Sequence, residues 1–271
     1  RHVRAAGFDF AAGDVVLKQG TRMGAAQIAL ALSAGHDTVP HRVSPAVSVL
    51  DSGSELVRRA ADCAPHQIPA SNGAMITAMI TPYVGAAQSL GPVPDDMDAL
   101  AEALNRATGD ILITSGGASV GDHDLMQDAL KAWGAKIDFW KVAIKPGKPL
   151  MVATRDADVG PKVILGLPGN PVSSFVTAFL FALPLVRAAM GDPNPLPRVA
   201  VVKAGEALPA VGPRREFLRG ISDGRSAKQA ASQDSSALRA LASANCLIDR
   251  PAGSREVAIG DALTVYDLDN G

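Results

Sequence analysis

Val163-Ile164-Leu165-Gly166-Leu167-Pro168-Gly169-Asn170-Pro171-Val172-Ser173-Ser174 is a hydrophobic run that ends in a glycine-proline turn and restarts as a helix. Asn170 suits the N-cap and Pro171 the first helical position, where its missing N–H costs nothing. The same kind of transition recurs upstream. Ile111-Leu112-Ile113-Thr114 runs into Ser115-Gly116-Gly117-Ala118-Ser119-Val120-Gly121-Asp122-His123-Asp124, and Ile144-Lys145-Pro146-Gly147-Lys148-Pro149-Leu150 makes a lysine-bearing turn. Open α/β sheets bind ligands outside the carboxyl ends of their strands. Three such turns on one sheet edge offer backbone N–H groups, hydroxyls, two lysines and two carboxylates. That mixture suits a phosphorylated substrate together with a divalent metal or an oxyanion.

Outward from these turns, residues 45–191 alternate strand and helix. Strands are predicted at 46–50, 86–90, 110–114 and 162–165, with further extended runs at 137–144 and 150–153. Helices are predicted at 71–84 with Ser71 as N-cap, at 95–107 with acidic residues in its first turn, at about 124–133, and after Asn170. This rhythm predicts an α/β domain with a doubly wound, mostly parallel sheet. Ahead of it, Gly13-Asp14 and Gly20 bracket Val15-Val16-Leu17, a short hairpin by this reading, and 24–34 is an Ala/Leu-rich helix stopped by Gly35. Residues 1–44 have too little apolar surface to stand alone. The face of Ile28, Leu30 and Leu32 needs a partner, so the expectation is a homodimer bridged by this segment. After the proline-rich linker 192–197, short runs at 199–202, 216–219, 246–248 and 263–266 between turns predict a small all-β domain over 198–271. Ser/Ala enrichment at 226–237 is the one compositional bias.

The chain has 271 residues, 47% hydrophobic and 20% charged, which excludes wholesale disorder. A net charge of −1 gives no whole-molecule attraction to nucleic acid or anionic lipid, so neither is expected as a partner and anion binding must be local. Cys63 and Cys246 have no metal-ligand spacing and point to a reducing, cytoplasmic setting. The longest apolar stretch, 172–190, contains Ser173, Ser174, Thr177, Pro184 and Arg187, and reads as a buried helix rather than a membrane span. The sequence begins at Arg1 with no signal-peptide pattern.

Gly116 and Gly117 let backbone approach a ligand, Ser115 and Ser119 add hydroxyls, and the following helix start favours an anion. A tight turn that binds nothing is the alternative. Asp122 and Asp124 either cap that helix or hold a divalent ion. Lys145 and Lys148 flank a stiff Pro-Gly turn, as anion ligands or as a solvated surface. Glu55 ends the first strand on the same edge, but its spacing also fits a capping-box partner of Ser52. His123 lies in one turn, where exposure is its simplest fate. The cysteines read as packing residues, since no base is recognisable near either.

Jointly the three turns resemble the molybdopterin molybdenumtransferases, the MoeA/gephyrin E-domain family. Gly53-Ser54-Glu55-Leu56 is similar to the ending of that family's first strand, residues 7–43 to its elongated dimerisation segment, and Arg214-Arg215-Glu216-Phe217-Leu218-Arg219 to its C-terminal β-domain. The resemblance implies a late step of molybdenum cofactor synthesis. Adenylylated molybdopterin and molybdate react, the dithiolene captures molybdenum, and AMP leaves with Mg²⁺ assistance. It also implies roles. Glu55, Asp124 and one of Asp95 or Asp96 match functional carboxylates, with Asp122 beside them, and Glu55, Asp122 and Asp124 would hold Mg²⁺. Thr114, Ser115, Gly116, Gly117, Ser119, Gly169 and Asn170 fall in substrate-binding turns, and Pro168 and Pro171 match substrate-site prolines. Lys145, Lys148 and Ser173 match oxyanion-binding turns, and Arg214 and Arg219 are helpers from the C-terminal domain. Family members carry a further N-terminal portion with a mobile domain, and this sequence begins after it. Three alternatives remain at this stage. They are a molybdopterin adenylyltransferase, which shares the sheet domain but usually stands as that domain alone; a non-catalytic binding or scaffold module; and an unrelated phosphosugar or nucleotide enzyme on the same fold.

Overall fold

The computed structural model describes residues 3–116 and 125–268. In chain order the first strands are β1 (Ala46–Asp51), a short pair β2 (Leu56–Val57) and β3 (Ile68–Pro69), β4 (Ala86–Ser89), β5 (Ile111–Ser115), β6 (Ala135–Trp140), β7 (Ile144–Lys145), β8 (Met151–Arg155) and β9 (Val163–Leu167). One six-stranded sheet has the order β4-β1-β5-β9-β8-β6. Its first four strands are parallel, and β8 runs antiparallel to both β9 and β6. The mostly parallel sheet read from the sequence is the one observed.

The helices are α1 (Ala25–Ser33), α2 (Asn72–Ile80), α3 (Met97–Asn105), α4 (Leu125–Ala132) and α5 (Pro171–Thr177). Through a π turn at Ala178–Ala182, α5 continues into α6 (Leu183–Ala189). Strand alternation explains why helices cover both faces. Leu50, Leu112 and Ile164 point to one face, where they pack with Leu100 and Leu104 of α3 and Met126 and Leu130 of α4. Val47, Val49, Ile111, Ile113 and Leu165 point to the other and meet Ile76 and Ile80 of α2, Ala182 and Val186. Each such side chain, fully buried, contributes roughly 1.5–3 kcal/mol. Pro171–Ala189 is long and apolar enough to cross a membrane by length and composition, yet 67% of its most apolar window is buried within the protein.

The second six-stranded sheet contains β10 (Val199–Ala204), β11 (Arg215–Ser222), β12 (Ser226–Gln229), β13 (Cys246–Arg250) and β14 (Ala262–Asp267), with a short helix α7 (Leu238–Ser243) before β13. Its order is β12-β10-β14-β13-β11-β7, and β12 also pairs with β11, which closes a barrel. Val202, Ala204, Ala227, Ile248, Leu263 and Val265 fill part of its interior. Two features depart from the sequence reading. β12 lies in the Ser/Ala-enriched stretch, and of its four residues only Ala227 is buried, so the alternation is too faint to register. The run 137–144 also divides, because Ile144 and Lys145 leave the first sheet and pair with Arg215 and Glu216 of β11. β7 therefore joins the two bodies.

The expected hairpin around Val15-Val16-Leu17 does not form, and no strand lies among the described residues before Ala46. Val15 is 75% exposed. A two-stranded ribbon without a surface beneath it is marginal in water. The helix and its glycine stop are present, with Gly35 at φ +86°. Of α1 only Ala31 is buried, and Ile28 and Leu32 are half-exposed.

Candidate active site

Parallel pairing sets the carboxyl ends of β1, β5 and β9 in one row. Asp51 is in register with Ser115, and Ser115 with Leu167. The segments that follow these strands emerge side by side and line a cleft of about 620 Å³. Its floor carries Asp51, Ser52, Ser115 and Ser173, which are 2–7% exposed. One wall is Leu56, Ile68 and Pro69 of the β2–β3 pair, and the opposite rim is Pro168, Gly169, Asn170 and Pro171. Asp95 and Glu55 stand on the edge, and Pro149 closes the side nearest the lysine turn.

Hydrogen bonds hold this frame. Asn72, the first residue of α2, donates through Nδ2 to Ser115 Oγ at 2.9 Å and to the Gly169 carbonyl at 2.7 Å. It thus ties the ends of β5 and β9 to one helix. The next N–H, on Gly73, donates to Asp51 Oδ2 at 2.9 Å, while Ser71 makes no side-chain cap. A carboxylate from a distant strand thereby caps α2. Burial pushes the Asp51 carboxyl up, opposed by the Gly73 bond. At Gly116 φ is +93°, and an added Cβ would collide with the Ser52 carbonyl, so only glycine permits the β1 and β5 turns to lie this close. Buried oxygens without a partner cluster here: Asp51 Oδ1, Ser52 Oγ, Asn72 Oδ1 and Asn170 Oδ1. Buried polar groups are normally satisfied, and exceptions concentrate where something else binds.

Residues 48–188, just over half the chain, match a family model described as a probable molybdopterin binding domain. Residues 201–268 match one described as the MoeA C-terminal region, domain IV. The chain belongs to the molybdopterin molybdenumtransferase family. It is 35% identical over 279 residues to molybdopterin molybdenumtransferase 2 of Mycobacterium tuberculosis, a match covering 99% of this chain and 67% of that protein. Its identity to the molybdopterin molybdenumtransferase of Nostoc sp. is 33% over 267 residues, covering 96% of this chain and 61% of the relative. The crystal structure of the molybdopterin biosynthesis MoeA protein from Pyrococcus horikosii superposes with a TM-score of 0.83 at 27% identity, over 96% of this chain and 64% of that one. This molybdenumtransferase-family chain thus spans roughly two thirds of its relatives' length.

Of the residues singled out in the sequence, Glu55, Asp95, Ser115, Gly116, Pro168, Gly169, Asn170, Pro171 and Ser173 come together around the cleft. Asp95 and Asp96, the two alternatives offered by the sequence, differ in placement. Asp95 Oδ2 accepts from the Ser54 N–H at the rim, while Asp96 Oδ1 accepts from the N–H groups of Asp98 and Ala99 as the α3 N-cap. Asn170 occupies the α5 N-cap position without making a side-chain capping bond, which leaves its Oδ1 among the unpartnered atoms. Gly117, Ser119, Asp122, His123 and Asp124 lie outside the described residues.

Other residues fall elsewhere. Thr114 alternates to the opposite side of β5 from Ser115 and is fully buried without lining the cleft. Lys145 Nζ pairs with Glu216 Oε1 at 2.9 Å, and Lys148 is exposed, so neither ammonium lies in the cleft wall. Arg214 is exposed, and Arg219 is 1% exposed inside the barrel domain. Cys246 is buried, which pushes its thiol up to about 11 and fits a packing role. Sequence reading missed Asp51 and Asn72. Asp51 carried a signal, a carboxylate closing an apolar strand just ahead of Gly53 and Glu55. Asn72 carried none beyond its place at a helix start.

Proposed function

We propose that this chain is the substrate-binding part of an enzyme that inserts molybdate into adenylylated molybdopterin and releases AMP. The observation that carries the reading is the cleft at the carboxyl edge of β1, β5 and β9, which falls within the molybdopterin-binding family match and gathers unpartnered buried oxygens. Its floor of hydroxyls, a carboxyl and amides suits a polar heterocycle with a phosphoanhydride, and its rim of Pro168, Pro171, Leu56 and Ile68 suits a planar ring.

The donor set also suits Mg²⁺. Glu55 and Asp95 are hard oxygen ligands at the cleft edge, joined in sequence by Asp122 and Asp124, and Mg²⁺ is commonly held by one or two carboxylates plus substrate phosphates. Bound there, the ion would polarise the phosphoanhydride. The protein's own part is to orient. Asn72 fixes the Gly169 carbonyl and the Ser115 hydroxyl, so the rim loop and the end of β5 keep one spacing around the substrate. Ser173 on the cleft floor takes the oxyanion, and a water oxygen bonds to the AMP phosphorus as the phosphoanhydride P–O bond breaks, leaving AMP and the molybdopterin phosphate.

A homodimer completes the assembly in this proposal. Residues 1–44 pack on a second subunit, which covers the exposed Ile28 and Leu32. The setting is cytoplasmic. Product analysis tests the reading in the full protein with adenylylated molybdopterin and Mg²⁺. AMP release that depends on added molybdate is expected. Adenylylation of molybdopterin from ATP, or AMP release indifferent to molybdate, would overturn it.

A further inference from the structure

Arg219 of β11 is 1% exposed, the largest fully buried side chain of the described residues. A buried guanidinium persists only where its N–H groups are taken up. Here one of its NH₂ groups meets the segment 230–237 that leaves β12, while Nε has no partner. Arg219 donates through one NH₂ to the carbonyls of Asp234 at 3.1 Å and Ser232 at 3.4 Å. The same segment is pinned from its other side. Gln233 Oε1 accepts from the Arg219 backbone N–H at 3.0 Å, Gln233 Nε2 donates to the Arg219 carbonyl at 2.8 Å, and the Ala230 N–H donates there too. Burial pulls the Arg219 pKa down and the Asp234 charge opposes this.

The segment reaches the cleft. Between the two bonded carbonyls and the start of α7 lies Ser235, whose carbonyl accepts from the Val172 N–H at 3.2 Å. Val172 is the second residue of α5, and its N–H is one of the groups a helix start leaves open. On either side of it, Asn170, Pro171 and Ser173 line the cleft. The other end of this rim loop is held by Asn72 through the Gly169 carbonyl. The rim is thus clasped from two bodies, α2 on one side and the barrel on the other.

We propose that Arg219 is a positioning residue: it holds the barrel segment 230–237 so that the Ser235 carbonyl caps α5 and fixes the Asn170–Ser173 rim. It does not touch the ligand. The clasp stands on geometry alone, and its consequence for turnover rests on reading the cleft as the substrate site. It also gives the barrel a part in the site although no barrel residue lines the cleft.

The test is amide hydrogen exchange resolved at Val172 in the full protein, comparing Arg219→Met, Arg219→Lys and Gln233→Ala, with β13 and β14 amides as internal reference. Loss of one hydrogen bond of ordinary worth makes the Val172 amide exchange about five- to ten-fold faster. That is the expected result for Arg219→Met with β13 and β14 unchanged, and Arg219→Lys, which keeps a donor, restores part of the protection. Where Arg219→Met fails to fold, Gln233→Ala loosens the same segment from a half-buried position and carries the same expectation. Unchanged Val172 exchange, or equal loss of protection in β13 and β14, overturns the proposal. A separate arm measures AMP release. A raised KM with little change in kcat supports the link to the substrate rim. A faster Val172 amide with KM unchanged leaves the clasp standing and overturns the reading of the rim as the substrate site.

Discussion

In the barrel, Asp249 takes two bonds from the Arg215 guanidinium, and Arg250 places its own on the carbonyls of Pro209 and Arg255. At the cleft, Asp51, Ser52, Asn72 and Asn170 each bury an oxygen that meets no partner. Both regions pull polar side chains out of water, and the barrel closes most of its hydrogen bonds internally, Arg219 Nε and Ser254 Oγ being exceptions. An unmade hydrogen bond inside a protein costs about 1–3 kcal/mol, so four in one cleft are a structural expense that a bound ligand can offset. The contrast separates polar residues that hold the fold from those that await something.

The largest expected effect is on chemistry at the cleft edge. Glu55→Gln keeps the shape and removes the charge, and metal-dependent AMP release should fall about 10²- to 10³-fold, the scale seen when one charge-stabilising group is lost. Its Tm should not move, because Glu55 is exposed. Single-turnover kinetics beside thermal denaturation check this, and normal turnover would remove Glu55 from the site.

The barrel should answer in the opposite way. Asp249→Ala strips Arg215 of its partner, whose bonds raise the Arg215 pKa. Chemical denaturation should show a loss of about 1.5–3 kcal/mol, the worth of hydrogen bonds to charged groups. Affinity for adenylylated molybdopterin should be unchanged. A variant of normal stability but weakened binding would erase the distinction between the two regions.

The strands and turns of the sheet domain were legible because each carries its own signal. Apolar runs end in Gly116 and in Pro168-Gly169, which the parallel sheet aligns, and in Pro146-Gly147, which follows a strand of the barrel sheet. What stayed hidden depends on partners distant in sequence. Asn72 gains its role only from Ser115 and Gly169, and Asp51 caps a helix that begins more than twenty residues later. β12 needs β10 and β11 beside it, and Lys145 turns toward Glu216 because β7 crosses to the barrel. The failed hairpin at Val15-Val16-Leu17 errs the other way: local turn signals were present and no surface to fold on was.

The smallest effect belongs to Asp51. Because burial raises its pKa, the folded protein holds that proton more tightly than the unfolded chain does. The stability it contributes is full below the unfolded carboxyl's pKa and is lost as pH rises through the folded one. Asp51→Asn keeps an acceptor for the Gly73 N–H and removes the titration. Urea denaturation between acid and neutral pH should therefore show the parent losing stability relative to the variant across that window, with parallel curves above and below it. Parallel curves throughout would mean that the carboxyl is not desolvated.

Whether the cleft is where the substrate sits can be measured without turnover, by amide hydrogen exchange of the full protein with and without adenylylated molybdopterin. Protection confined to residues 51–56, 71–73, 115–116 and 168–173 is the predicted result, with β13 and β14 unaffected. Protection located elsewhere, or none at a saturating concentration, would contradict it.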